Sequence, residues 1–410
     1  MTPQEIVFRA WRMGRAHAER LGWLGGAEVP RPDLSFHGKD WLGKGEKVQA
    51  APYVAAADRI ADGWLDVFAL KSVDIGTPPR WNRDPKTGIE APSAFGKTLD
   101  YRDADLVGDI KYLWEPNRHL HLVTLAQAWA FTRQPKYFDA LRDHLESWFI
   151  ACPYPHGPNW SSSLEAAIRL VNWSLAWQLV GEETLSRQAN REFRDRWLAS
   201  IYQHAKFVRG WFSLHSSANN HLMGEACGLY LASLAWPYWP EVRAWRATAK
   251  AILEREAHAQ NGPDGVNREQ AVSYQQFVLD MMLLPYLAGR AAGDTFPAAY
   301  LSRIEAMLDY LASIMDCAGN VPMFGDADDG YLVRLCSASK FNPYKSLLAT
   351  GALLFRRGDF RHKAGSLDDK TRWLLGAGAD EQWAGLEISQ TRLPPRQQFG
   401  EGGYYVLGCE

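Results

Sequence analysis

Arg118–Val180 reads RHLHLVTLAQAWAFTRQPKYFDALRDHLESWFIACPYPHGPNWSSSLEAAIRLVNWSLAWQLV. Apolar residues recur there at helical spacing in three blocks, 118–132, 136–150 and 162–180, parted by Pro- and Gly-containing turns. That period belongs to helices. The texture continues through 185–209, 220–235, 240–260, 270–290, 297–317 and 342–355. Helices of such length on short connections pack as antiparallel hairpins. No strict sequence period runs through them, so a toroid of α/α hairpins fits better than a regular solenoid. The expected fold is mainly α, an incomplete (α/α) toroid whose central cleft is lined by loops and helix ends.

Two flanks differ from this body. Residues 1–26 read as an amphipathic helix ending at Gly25-Gly26, and 27–105 as an irregular, Pro-punctuated wrapping segment with short helices. At the other end, Phe399–Gly408 (FGEGGYYVLG) is Gly-rich and then β-prone. It reads as the first strand of a sheet domain. One or two strands are not stable alone, so the natural polypeptide is expected to continue past Glu410. The expected segments are 1–105, 106–395 and 396–410.

A chain of 410 residues can bury a large core. The net charge of −2 argues against a nucleic-acid footprint, yet it leaves room for a locally basic cleft. The 18 tryptophans are core material by default, or flat platforms for sugar rings. The cysteines (Cys152, Cys227, Cys317, Cys336, Cys409) are odd in number and show no CxxC spacing, which speaks against a disulfide framework or zinc site. Cys227 and Cys317 lie in apolar helical patterns and read as small core residues. Charges throughout residues 1–26 leave no signal-peptide run, and no stretch reaches membrane-spanning length. A cytoplasmic location is expected, or a periplasmic one if a leader was removed.

Candidate chemistry concentrates in Ser216–Asp280. SSANNHLMGE (Ser216–Glu225) opens an apolar helix with good N-cap residues. A helix start offers free N–H groups and partial positive charge, a seat for a carboxylate. The Asn220 amide can bind a substrate carboxyl, His221 can add a donor or base, and Glu225, one turn on, can orient the imidazole. The plain alternative is a cap and a satisfied core histidine. DGVNREQAVSYQQF (Asp264–Phe277) puts Tyr274 on the first turn of another helix. It reads as a general acid or base or as an ordinary core aromatic.

Three further clusters stand out. In DIKYLWEPNRHLH (Asp109–His121), Pro116 precedes an expected helix start with Asn117, Arg118 and His119 on its first turn. Arginine there suits bidentate carboxylate or sulfate recognition, or a salt-bridged cap. In NWSSSLEAAIRLVNW (Asn159–Trp173), Glu165 and Arg169 have ion-pair spacing, and Trp160 is a possible sugar platform. GDADDG (Gly325–Gly330) lacks the spacing of a calcium loop and reads as a turn.

Together with GGYYVL (Gly402–Leu407), these segments in this order resemble the heparinase II/III-like polysaccharide lyases, a group that includes related alginate lyases. The similarity runs from about Asp103 onward. The resemblance implies an α/α toroid followed by a β-sandwich domain, of which this chain holds only the cut-off start. It also implies cleavage of uronate-containing glycans by β-elimination, with no metal and no cofactor. By motif match, Asn220 neutralises the uronate carboxyl, Tyr274 is the acid/base and His221 a helper. Substrate contacts fall on Asn117, Arg118, Trp160 and Gln270, with Glu225 beside them. The family usually adds a catalytic histidine from the β-domain, and residues 399–410 hold none. The implied partner is an acidic polysaccharide or oligosaccharide, neither nucleic acid nor membrane. Two other readings stay open. One is an α/α-toroid glycoside hydrolase, which needs two opposed carboxylates drawn from Glu225, Glu269 or Asp326. The other is a non-catalytic glycan-binding or exopolysaccharide-assembly protein.

Overall fold

The computed structural model describes residues 2–26, 28–326, 330–388 and 398–407. The expected helical blocks appear as Leu120–Thr132, Pro135–Ala151, Ser163–Val180, Arg191–Gly210, Asn220–Ala235, Val242–Ala259, Val272–Ala291, Ala298–Ile314 and Pro343–Phe355. None of the described helices is long and apolar enough to cross a membrane. The chain divides into two compact units, Met1–His37 with Tyr53–Trp245, and Gly38–Pro52 with Arg246–Glu410.

In the first unit, Ser163–Val180 is the central helix. Every residue of it except Gln178 is buried, as expected of a helix that is apolar on all sides. It packs on Leu120–Thr132, Arg191–Gly210 and Asn220–Ala235. The last approach is close enough to demand glycine: a Cβ on Gly228 would lie 2.4 Å from the Ala167 carbonyl oxygen. Tryptophans fill the spaces between helices, and Trp148, Trp160, Trp173, Trp197 and Trp236 are fully buried. Full burial of such rings is a large part of the core's apolar surface.

The N-terminal expectation of a helix is met by Pro3–Arg20. The Thr2 hydroxyl accepts from the Glu5 N–H, and a proline opens the first turn. Within 27–105 there is more order than the prolines imply. A helix spans Ala50–Ala61, and Trp64–Val67 pairs antiparallel with Leu70–Asp74.

The reading of Pro116 needs correction. It lies inside a helix, Ile110–Asn117, capped by the Asp109 carboxylate. Arg118 ends that helix, and His119 bridges to the next with φ of 61°. The Trp173 indole N–H donates to His119 Nδ1 at 2.8 Å, so a tertiary contact holds this left-handed break.

In the second unit, Val272–Ala291, Ala298–Ile314 and Pro343–Phe355 pack together, followed by short helices at Gly358–Ala364, Asp369–Leu375 and Ala379–Gly385. The Lys370 ammonium meets both oxygens of Asp280, at 2.6 and 2.8 Å, with both side chains buried. Removing either partner would strand a buried charge. Cys317 corrects the expectation of a core residue: the helix ends at Ile314 and the thiol is exposed, while Cys227 is buried. Gln398–Phe399 pairs antiparallel with Tyr404–Tyr405 across a glycine turn. Phe399 seats this hairpin on Val266 and Tyr310. Cys409 and Glu410 lie outside the described residues.

Candidate functional site

The candidate residues fall in both units. Asn117, Arg118, Trp160, Asn220, His221 and Glu225 belong to the first; Gln270 and Tyr274 belong to the second.

Asn220 is the first residue of its helix and only 4% exposed. Asn219, in extended conformation, caps the helix by accepting from the His221 N–H at 3.1 Å. The Asn219 carbonyl also accepts from the Leu222 and Met223 N–H groups, at 3.0 and 3.4 Å, and the positive end of the helix dipole lies at this start. His221 is half-buried beside Asn220.

Glu225 has a different task from the one expected. Its carboxylate accepts from the Ser213 backbone N–H at 2.6 Å and from the Ser213 hydroxyl at 2.7 Å. It thereby ties the loop before Asn220 back to the second turn of the helix. Burial pushes its pKa up to about 7, against the Ser213 hydrogen bonds and the charges of Lys97 and Arg12, which pull it down. Lys97 is lowered to about 8, by burial first and by repulsion from Arg12 next.

The N-terminal helix clamps the same loop. Arg15 donates to the Gly210 carbonyl at 2.6 Å. Arg12 donates to those of Trp211 and Phe212 at 3.0 and 2.8 Å, and Arg9 to the Ser216 hydroxyl at 2.9 Å. Cations at carbonyls that close the Arg191–Gly210 helix are favoured by its dipole.

Three expected substrate contacts are core members. The Asn117 amide donates to the Trp81 and Leu113 carbonyls, both at 2.8 Å, and accepts from the Trp148 indole. Arg118 forks onto Glu165 at 2.8 and 2.9 Å, both side chains being buried. Glu165 therefore pairs with Arg118. Arg169 turns instead to His204 Nε2 at 2.9 Å and the Asn159 carbonyl at 2.6 Å. Trp160 is 1% exposed, with its indole N–H on the Cys152 carbonyl. Neither ring face is open to a sugar, because Tyr154, His204 and Phe207 crowd it. His119 and His204 are held neutral by the same burial, well below the usual imidazole range.

In the second unit, Tyr274 is the third residue of its helix and half-buried. Its hydroxyl donates to Asp326 Oδ2 at 3.1 Å. The Ser273 hydroxyl donates to the Asp326 carbonyl, and the Val272 N–H to that of Phe324. Segment 324–326 thus supplies the helix start with the partners that Ala271 cannot. Asp328 and Asp329 of the acidic turn lie outside the described residues. Gln270 is exposed at φ of 53°, its amide on the Gly402 carbonyl at 3.3 Å. Just before it, Asn267 is locked by Gln275 and Asn261.

Sequence reasoning did not assign Arg12, Lys97 or Ser213 to this site, nor the pairing of Tyr274 with Asp326. The one available signal was arginine at three-residue spacing, 9, 12 and 15, along the first helix.

This architecture has known counterparts. Residues 65–346, most of the chain, match the heparinase II/III N-terminus, and the chain belongs to that family. A curated relative, heparin-sulfate lyase of Bacteroides stercoris, is 23% identical over 259 residues, 58% of this chain and 38% of the relative. Among solved structures, heparan sulfate lyase HepC from Pedobacter heparinus superposes with a TM-score of 0.54 at 19% identity, covering 88% of this chain and 53% of that one. Heparinase III superposes with a TM-score of 0.51 at 17% identity, covering 77% and 45%. The mainly helical fold is thus that of the heparinase (α/α) toroid class. The chain spans between about two fifths and a little over half of the length of these relatives.

Proposed function

We propose that the protein is a polysaccharide lyase that cleaves a uronate-containing acidic glycan by β-elimination. The observation that carries this reading is the match of residues 65–346 to the heparinase II/III N-terminus. The names of its relatives make heparan sulfate the first substrate to try.

The chemistry follows from the groups available. A proton α to a charged carboxylate is barely acidic, because its removal piles negative charge on the same carbons and oxygens. In this reading the Asn220 amide and the positive end of its helix dipole bind the uronate carboxyl and stabilise the enolate-like state. The buried position of Asn220 supports this role, since a fixed donor needs no reorganisation during reaction. In this reading Tyr274 passes its phenolic proton to the hydrogen-bonded Asp326 carboxylate, and the phenolate oxygen takes the C5 proton. The C4–O bond then breaks, the double bond forms between C4 and C5, and the leaving oxygen receives a proton from the tyrosine. His221 assists at the carboxyl side.

The test is direct. Protein carrying any natural sequence that flanks residues 1–410 is incubated with heparan sulfate and other uronate glycans. The expected result is an unsaturated, ultraviolet-absorbing product, lost in Tyr274→Phe and Asn220→Ala. Saturated products, or no product across the panel, would remove the lyase reading.

A further inference from the structure

Within the first unit, the Pro3–Arg20 helix and the Trp211–Ser217 segment enclose a groove of about 530 Å³. That is the size of a small-ligand pocket, about 300–1,000 Å³. Its wall carries Arg9, Arg12, His17 and Arg20 from the helix and Lys97 from the side, with no carboxylate among the lining residues. A protein with a net charge of −2 has concentrated cations here.

Those charges are only partly spent. Arg9 is paired with Glu5, and the neighbouring Arg15 with Glu19. Arg12 and Lys97 reach backbone carbonyls, the latter that of Ser161 at 2.7 Å. Carbonyl contacts orient a cation without neutralising it. Among the described residues, no carboxylate stands at ion-pair distance from Arg12, Arg20 or Lys97. Glu225, whose charge acts on both Arg12 and Lys97, is buried with both oxygens on Ser213.

The groove also points at chemistry. Its far wall includes Leu214 and Ser217, in the loop that runs into the Asn219 cap and Asn220. The helix that supplies most of its charge lies before residue 65, outside the match to the family.

We propose that this groove is an anion subsite for the acidic glycan, seating a sulfate or carboxylate of a sugar that flanks the one bound at Asn220. Arg20, Arg12 and Lys97 supply the charge, and His17 a further donor. The proposal rests on the acidic-glycan reading above, and the experiment separates the two.

Binding is measured by calorimetry on the flanked protein in a Tyr274→Phe background, which stops turnover. The probes are a heparan sulfate octasaccharide, a hyaluronan octasaccharide, which has carboxylates and no sulfate, and inorganic sulfate as competitor. Arg20→Ala/His17→Ala removes two exposed side chains and should leave the melting temperature unchanged. It should weaken the heparan sulfate octasaccharide about tenfold or more, the loss of one charge-assisted contact. Lys97→Met should do the same. Arg191→Ala, an exposed arginine outside the groove, should have no effect. A loss confined to heparan sulfate, with competition by inorganic sulfate, assigns a sulfate site; an equal loss with hyaluronan assigns a carboxylate site. Unchanged affinity in Arg20→Ala/His17→Ala, or an equal loss in Arg191→Ala, overturns the groove and leaves the lyase reading standing. If the protein neither binds nor cleaves any acidic glycan, both fall.

Discussion

The start of the Asn220–Ala235 helix and the start of the Val272–Ala291 helix carry the two halves of the proposed chemistry, and the chain secures them differently. The first is closed by side chains of its own and by the N-terminal helix. Asn219 caps it, Glu225 one turn on grips Ser213 in the loop before it, and three arginines of the N-terminal helix hold that loop by its carbonyls and Ser216. The second has no side-chain cap and leans on segment 324–326, some fifty residues later in the chain. Asn220 is buried and Tyr274 half-open. A donor that stabilises charge works best when it is fixed beforehand. A group that takes and returns protons has to stay within reach of a substrate.

The largest break is expected on the open side. Tyr274→Phe should lower kcat by about 10³-fold, within the range for loss of general acid–base catalysis. Loss of the half-exposed hydrogen bond to Asp326 should shift denaturant unfolding by about 1 kcal/mol or less. A fold collapse instead would make Tyr274 a structural residue.

On the closed side, Asn220→Ala should cost about 10²-fold in kcat, as for one charge-stabilising donor. An effect on KM alone would assign Asn220 to ground-state binding and not to the enolate.

Glu225 gives the comparison a pH axis. Its folded pKa of about 7 lies above its ordinary value of 4.5. The native state thus holds a proton that the unfolded chain has already released, so stability falls as pH rises from about 4.5 to 7. Full linkage would amount to about 3 kcal/mol. Glu225→Gln should flatten this slope in urea melts run across that window. An unchanged slope would place the titration elsewhere.

Smaller effects probe the clamp. Arg12→Ala should lower stability by about 1–2 kcal/mol through two lost carbonyl contacts. Hydrogen exchange should quicken around 211–217, with no change around 272–276 if the two helix starts are secured independently. Asn219→Ala should cost about 1 kcal/mol, the usual worth of an N-cap.

Much of this was readable beforehand. The helical blocks came from a 3.6-residue apolar period, and the Asn219 cap from its side-chain chemistry ahead of an apolar run. What escaped had no local signature. Pro116 looks like a helix opener, yet Asp109 begins that helix and His119 ends it under a hydrogen bond from Trp173, fifty-four residues away. Glu165 and Arg169 have ion-pair spacing, yet each found a better partner across the core. The hairpin at Trp64–Asp74 is too short for alternation to stand out among prolines and polar residues.

Family membership, the helical class and the residue types at the two helix starts are properties of the chain's local pattern, because periodicity and capping act within a few turns. Which polar groups are core and which face a ligand is not local. Asn117, Arg118 and Trp160 carry ligand-like chemistry and were consumed by burial, whereas Arg12, Arg20 and Lys97 gained a groove because a distant loop packs opposite them. That allocation depends on which partners meet in space, since a buried polar group must pair, and a cation held by carbonyls keeps its charge for a ligand.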